Sequence, residues 1–242
     1  MQPKFFLLGV ATLLTAGTAF ADELVFQSPS SQSNVWQGYW TSPYLVMDQS
    51  VPPSGELLTV YCLDFNHEVA PPFSWDASIR PLDLGDVSLF QYGQSADAWQ
   101  HYAAAASLFQ KIEDLLVTKP TDANLLETEY QVAAWKLFVD ASHEAELNLK
   151  IAATGGTFAA DVTDLYNQAL TAGSSTQTEP DWFAVTVDPV WEAANQPGVP
   201  VQEFLIHRDP PPVPEPAAIL LLATVAGLLG LRMRSGRPAR FR

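Results

Sequence analysis

The period of apolar and polar positions changes along the chain. From Glu23 to Phe26, Val35 to Trp40 and Tyr44 to Met47, short runs rich in aromatic and β-branched residues stand between turn formers, and each predicts a strand. Leu57 to Phe65 is the strongest such run. It reads Leu-Leu-Thr-Val-Tyr-Cys-Leu-Asp-Phe, apolar on both faces at its start, which predicts a central strand. Pro71 to Gln94 is full of turn signals and predicts an irregular segment. From Ser95 the period becomes helical. Ser95 to Val117 predicts one helix stopped by Lys119-Pro120, Asp122 to about Ala153 a second stopped by Gly155-Gly156, and Thr157 to Ala172 a third. Trp182 to Val187 and Val201 to His207 return to strand character. Strands, a helical block over about 95–172 and strands again predict an α+β fold, an antiparallel β-sheet or sandwich with the helices inserted on one side.

The two ends follow a different logic. Met1-Gln2-Pro3-Lys4 precedes the apolar run Phe5 to Leu14 and the small-residue exit Ala19-Phe20-Ala21. One positive charge, an apolar core too short to span a bilayer and an A-x-A site predict a secretory signal peptide over 1–21. Signal peptidase would cut it between Ala21 and Asp22. At the other end, residues 209–216 hold five prolines, which fix φ and remove backbone donors, so they predict a stiff, extended stalk. Ala217 to Leu231 is apolar throughout and predicts a membrane helix of roughly 22 Å, short for a bilayer unless flanking arginines snorkel. Residues 232–242 carry five arginines and no acidic residue. Such a basic tail stays cytoplasmic, which places residues 22–208, the predicted globular domain, outside.

Pro214, Glu215 and Pro216, the apolar segment to Leu231 and the terminal arginines together resemble the PEP-CTERM sorting signal of Gram-negative bacteria. The resemblance implies recognition and cleavage near the motif by an exosortase, a membrane-embedded cysteine transpeptidase. It implies an exported protein held transiently in the inner membrane, then delivered to the cell surface or extracellular matrix.

Charge narrows the function of the exported part. From Asp22 to Val213 there are twenty-six acidic and six basic residues, a formal charge near −20. Such a surface repels phosphate backbones, and no basic stripe interrupts it, so no nucleic acid partner is expected. No Asp-x-Asp-x-Asp calcium loop occurs, no two histidines stand at a close ligand spacing, and His143-Glu144 lacks the second histidine of a zinc helix, so no metal or other cofactor is expected. Hydrophobic content of 48% is too high for a disordered stalk.

Cys62 is the chain's one cysteine, and export compartments favour oxidation. Four roles are open to it: a small core residue, a bridge to another chain, a nucleophile, or a partner in some other covalent bond. On an alternating strand it shares a face with Leu58, Val60 and Asp64 and points inward, which disfavours the bridge. Gln131 is the second unusual residue, since it shares a helix face with Ala134, Trp135 and Phe138. A buried amide without partners costs about 1–3 kcal/mol. Ala133 and Ala134 would let another backbone approach closely there.

Tyr61-Cys62-Leu63-Asp64 and Gln131-Val132-Ala133-Ala134-Trp135 resemble the two motifs of the thioester domains of bacterial surface adhesins. Ala134 stands where that family has a branched residue, and Tyr130 where a smaller one is common. The resemblance implies that Cys62 supplies the sulfur and Gln131 the acyl group of an internal thioester, with Tyr61 and Trp135 packing about it. It implies adhesion by amide formation with a surface amine. The rival is an inert core cysteine packed on a helix whose glutamine is hydrogen-bonded.

A cysteine hydrolase would need an oriented histidine beside Cys62, and His67, His101, His143 and His207 lie in no nucleophile motif. No glycosidase carboxylates stand out among so many acidic residues, and the chain is not expected to be an enzyme. Trp36 and Trp40, four apart on an expected strand, would share a face for stacking on sugar. Non-covalent binding of a polysaccharide, or a purely structural role in a biofilm matrix, is the alternative function.

Overall fold

Six strands close on themselves. In the computed structural model, which describes residues 22–67, 70–83, 87–175, 178–195 and 201–208, these are β1 (Asp22–Pro29), β4 (Tyr44–Asp48), β5 (Glu56–Cys62), β8 (Phe204–His207), β7 (Thr178–Val187) and β6 (Phe73–Asp83), in that order around a barrel. Each neighbouring pair is antiparallel, including the β1–β6 pair that completes the ring. The α+β expectation holds, with a closed barrel where an open sheet or sandwich was expected. Register shifts at Phe26/Ser28 in β1 and at Pro81/Leu82 in β6 supply local bends that help such a sheet to curl.

The residues expected to form the signal peptide, the Pro214-Glu215-Pro216 stalk, the membrane helix 217–231 and the basic tail lie outside the described residues. Among the described residues no helix is long and apolar enough to cross a membrane.

Period-2 alternation fills the barrel. Leu24, Phe26, Val46, Val60, Trp75 and Phe204 point inward and are buried. Residues of opposite phase, Tyr61, Leu63, Trp182, Ala184 and Leu205, point outward into a second core shared with the helices. Both faces of β5 are therefore covered, as its two-sided apolar sequence predicts.

Pro71 to Gln94 departs from the expectation. Phe73, Trp75, Ala77 and Ile79 alternate with Ser74, Asp76, Ser78 and Arg80 along an eleven-residue strand. Small and polar residues dilute that alternation, and Pro81 sits at the register shift, where a missing backbone donor is tolerated.

The helical block inserts between β6 and β7 as α1 (Ala98–Thr118), α2 (Ala123–Phe138), α3 (Glu144–Thr154) and α4 (Phe158–Gly173), and a short α5 (Pro189–Asn195) follows β7. The second predicted helix is two. Val139 turns extended (φ −62°, ψ 130°), and the Asp140 carboxylate accepts from the backbone N–H groups of Ser142 (2.8 Å) and His143 (3.0 Å). An aspartate that satisfies backbone donors locally ends one helix and begins the next.

Val35 to Trp40 is a tight hairpin of β2 (Val35–Trp36) and β3 (Tyr39–Trp40), turned by Gln37 (φ 51°) and Gly38 (φ 91°). Two successive residues with positive φ make the turn favoured between short antiparallel strands. The turn removes the expected shared face: Trp36 is buried on Phe158 (5.6 Å between centroids), whereas Trp40 is 45% exposed.

Helix α4 meets α1 closely at Gly173. A Cβ there would lie 2.4 Å from the Gln100 carbonyl oxygen and 2.9 Å from the Ala104 nitrogen. Gly173→Ala is expected to force the helices apart and cost about 1–3 kcal/mol. Thermal unfolding would read this as a clear fall in Tm.

Candidate functional site

Cys62 ends β5, where it pairs with Phe204 of β8, and its side chain lies in the barrel core. The chain then leaves the sheet through Leu63, Asp64 and Phe65, all buried. Helix α2 crosses outside this point with Gln131, Ala133 and Ala134 fully buried. The two alanines leave room for the strand backbone, so Gln131 reaches it. Its Nε2 donates to the Cys62 carbonyl oxygen at 2.8 Å.

Ser42, between β3 and β4, joins the two residues. Its backbone N–H donates to Gln131 Oε1 (3.2 Å), and its Oγ accepts from the Cys62 N–H (2.8 Å). Cys62, Gln131 and Ser42 thus form a closed, fully buried ring of three hydrogen bonds. One turn earlier on α2, buried Glu127 accepts from Thr41 Oγ1 at 3.2 Å, and burial lifts its carboxyl to about 7.

The sulfur sits in a shell of its own. Cys62 Sγ donates to the Asp64 carbonyl oxygen (3.1 Å) and accepts from the Asp64 N–H (3.3 Å). The Trp135 indole N–H points close enough to favour a charge on the sulfur, yet Nε1 has no partner at ordinary hydrogen-bond geometry. Burial, aided by the Asp64 charge, outweighs both the Asp64 backbone and the indole, and drives the thiol well above its usual range. A thiol so held is neutral at pH 7, unlike the thiolate of a turnover cysteine enzyme.

Asp64 anchors the segment after β5. Its Oδ1 accepts from the N–H groups of Asn66 (2.7 Å) and His67 (3.1 Å), and its Oδ2 pairs with His67 Nδ1 at 2.6 Å. Gln202 Nε2, from just before β8, donates to the carbonyl oxygens of Asp64 (3.1 Å) and His67 (2.6 Å). Next to it, fully buried Glu203 accepts from the Tyr102 hydroxyl and from the Gln91 N–H (3.0 Å); burial lifts its carboxyl to about 8.

A cavity of about 160 Å3 opens on this cluster, walled by Trp40, Tyr44, Phe65, Trp135, Asp64 and His67 among others. Three of these, Asp64, Trp135 and Tyr44, also act on Cys62 or are acted on by it. The cavity therefore ends at residues that surround the sulfur.

Of the residues singled out from sequence, Cys62, Gln131 and Trp135 come together. Tyr61 does not join them: its ring points the opposite way and stacks on Phe109 of α1 at 5.1 Å, as strand alternation requires. His101, His143 and His207 pair with Asp97, Asp140 and Glu113, respectively, and only His67 is close to Cys62 in the chain. Among the described residues no cluster of three or more His, Cys, Asp or Glu side chains could hold a metal ion. Sequence reasoning passed over Ser42, Asp64 as an anchor, and Glu203. The Asp64-Phe-Asn-His67 spacing directly after the cysteine was the one available signal; Ser42 carries none, since its role depends on contacts 20 and 89 residues away. No protein-family model, curated protein or solved structure matches the chain.

Proposed function

We propose that this is an exported protein of the cell surface or extracellular matrix, sorted by its PEP-CTERM-like tail. Its domain attaches to partners covalently through a thioester between Cys62 and Gln131. The supporting observation is the buried ring in which the Gln131 amide donates to the Cys62 carbonyl while the Ser42 N–H holds Gln131 Oε1. The Cys62 thiol adds to the Gln131 carboxamide carbon, an S–C bond forms, the C–N bond breaks, and ammonia leaves with the thiol proton. The Ser42 N–H already points at the oxygen that carries the developing charge, as an oxyanion donor must.

The burial that keeps the thiol neutral also keeps water from the acyl bond. An amine that reaches it forms an amide with the Gln131 acyl group and returns the Cys62 thiol, without ATP. This is one covalent event per molecule rather than turnover. The acidic domain surface suits cationic amines. For the polysaccharide alternative, only Trp40 of the expected tryptophan pair faces solvent.

Exported protein incubated with biotin-cadaverine is expected to carry the label on the peptide containing Gln131, and Cys62→Ala is expected to carry none. Labelling equal in both proteins, or absent from both, contradicts the reading.

A further inference from the structure

The thioester reading leaves two things unassigned: the route by which an amine reaches a fully buried carbonyl, and the group that manages its proton. At neutral pH a primary amine arrives as an ammonium ion and has to lose a proton before it attacks. The sulfur it displaces has the opposite need. Burial drives the Cys62 thiol well above its usual range, so departure as a bare thiolate is disfavoured and the leaving sulfur requires a proton.

We infer that the 160 Å3 cavity beside Cys62 admits the amine, and that His67, fixed by Asp64, relays the proton from the amine to the departing sulfur. This inference rests on the thioester reading. Four observations carry it. His67 lines the cavity. Its Nδ1 lies 2.6 Å from the fully buried Asp64 carboxylate, and its backbone is tied at both ends, N–H to Asp64 and carbonyl to Gln202. The Asp64 contact favours the proton on Nδ1, which leaves Nε2 as the acceptor; among the described residues no partner occupies it. The same Asp64 holds the sulfur through its backbone, so one residue positions both the proton carrier and the leaving group.

The walls suit the ligand class. Trp40, Tyr44, Phe65 and Trp135 present aromatic surface to a cation, and Asp64 adds a negative charge at the inner end. Room for several water-sized groups accommodates the end of a lysine-like chain better than a bulky sugar. In the relay, Nε2 first takes one proton from the ammonium and passes it to water in the cavity, a step that a neutral amine does not need; the free amine then attacks, and Nε2 takes a second proton from the nitrogen as the N–C bond forms. It then gives that proton to sulfur as the C–S bond breaks. His67 ends as it began and the thiol is restored.

The test uses the exported full-length product as wild type and as His67→Gln, with thioester content read from intact mass and reaction followed with methylamine or hydroxylamine at pH 7. Hydroxylamine is mostly neutral at that pH, so it depends less on a base. Both proteins are expected to lack one ammonia to the same extent. His67→Gln is expected to react with methylamine about 10²-fold more slowly, and with hydroxylamine to lose about tenfold or less. Unchanged methylamine kinetics, or equal slowing with both probes, overturns the relay while leaving the thioester intact. A wild-type protein with its full mass overturns the thioester reading and the relay with it.

Discussion

Trp135→Ala is expected to destabilise the domain by about 3–5 kcal/mol and to expose the Cys62 sulfur to water. Trp135 is 2% exposed and lies where three parts of the chain converge. Its ring centroid is 5.5 Å from Phe65 in the segment after β5, and 6.2 and 6.3 Å from Tyr39 and Trp36 in the hairpin. Removing the indole leaves a cavity that helix α2, packed on both α1 and α4, cannot collapse to fill. Trp135 lines the cavity and also acts on the Cys62 sulfur, so widening that space should accelerate hydrolysis of a thioester together with the loss of stability. Trp135→Phe separates the two effects. It keeps most of the packing and is expected to recover most of the stability, but it lacks the N–H that faces the sulfur. Urea unfolding reads the first effect, and the lifetime of the ammonia-deficient form reads the second.

Raising the pH from 5 to 9 is expected to weaken the fold by several kcal/mol, the second large effect. Glu203 is fully buried and its carboxyl is lifted from 4.5 to about 8, with burial as the main cause; its hydrogen bonds to Tyr102 and Gln91 oppose the lift without cancelling it. Glu127 is lifted to about 7 for the same reason. Between the unfolded and folded values the native state holds more protons than the unfolded chain, so stability falls with rising pH. The contribution is fully present below pH 4.5 and is lost as pH passes through about 7 and 8. Glu203 alone contributes on the order of 4 kcal/mol across that window. Glu203→Gln is expected to flatten the pH dependence, because an amide has no proton to lose there. Denaturant unfolding between pH 5 and 9 measures both slopes.

How much of this was legible in the sequence depends on how local each cause is. The central strand at Cys62 and the helices α1 and α4 follow from periodicity over a dozen residues, and their bounds fall close to those expected. Burial marked Cys62 and Gln131 as two residues in need of an account, and their pairing came from the resemblance of their two motifs to those of thioester domains. Barrel closure did not follow, because it needs β1 to meet β6 and β5 to meet β8, pairings that leave no periodic trace. Strand β6 was hidden by serines and a proline, and the break after Phe138 by one aspartate that caps its own chain. Tyr61 was misassigned for a geometric reason: adjacent strand residues face opposite ways, so the neighbour of Cys62 belongs to the other core.

Whether Cys62 and Gln131 are joined is decided by the intact mass of the exported protein. Wild type should weigh one ammonia less than its processed sequence, and Cys62→Ala and Gln131→Ala should each show their full masses. A wild-type protein at full mass, with Cys62 alkylated to completion once unfolded, would leave a hydrogen-bonded core pair and no covalent adhesion.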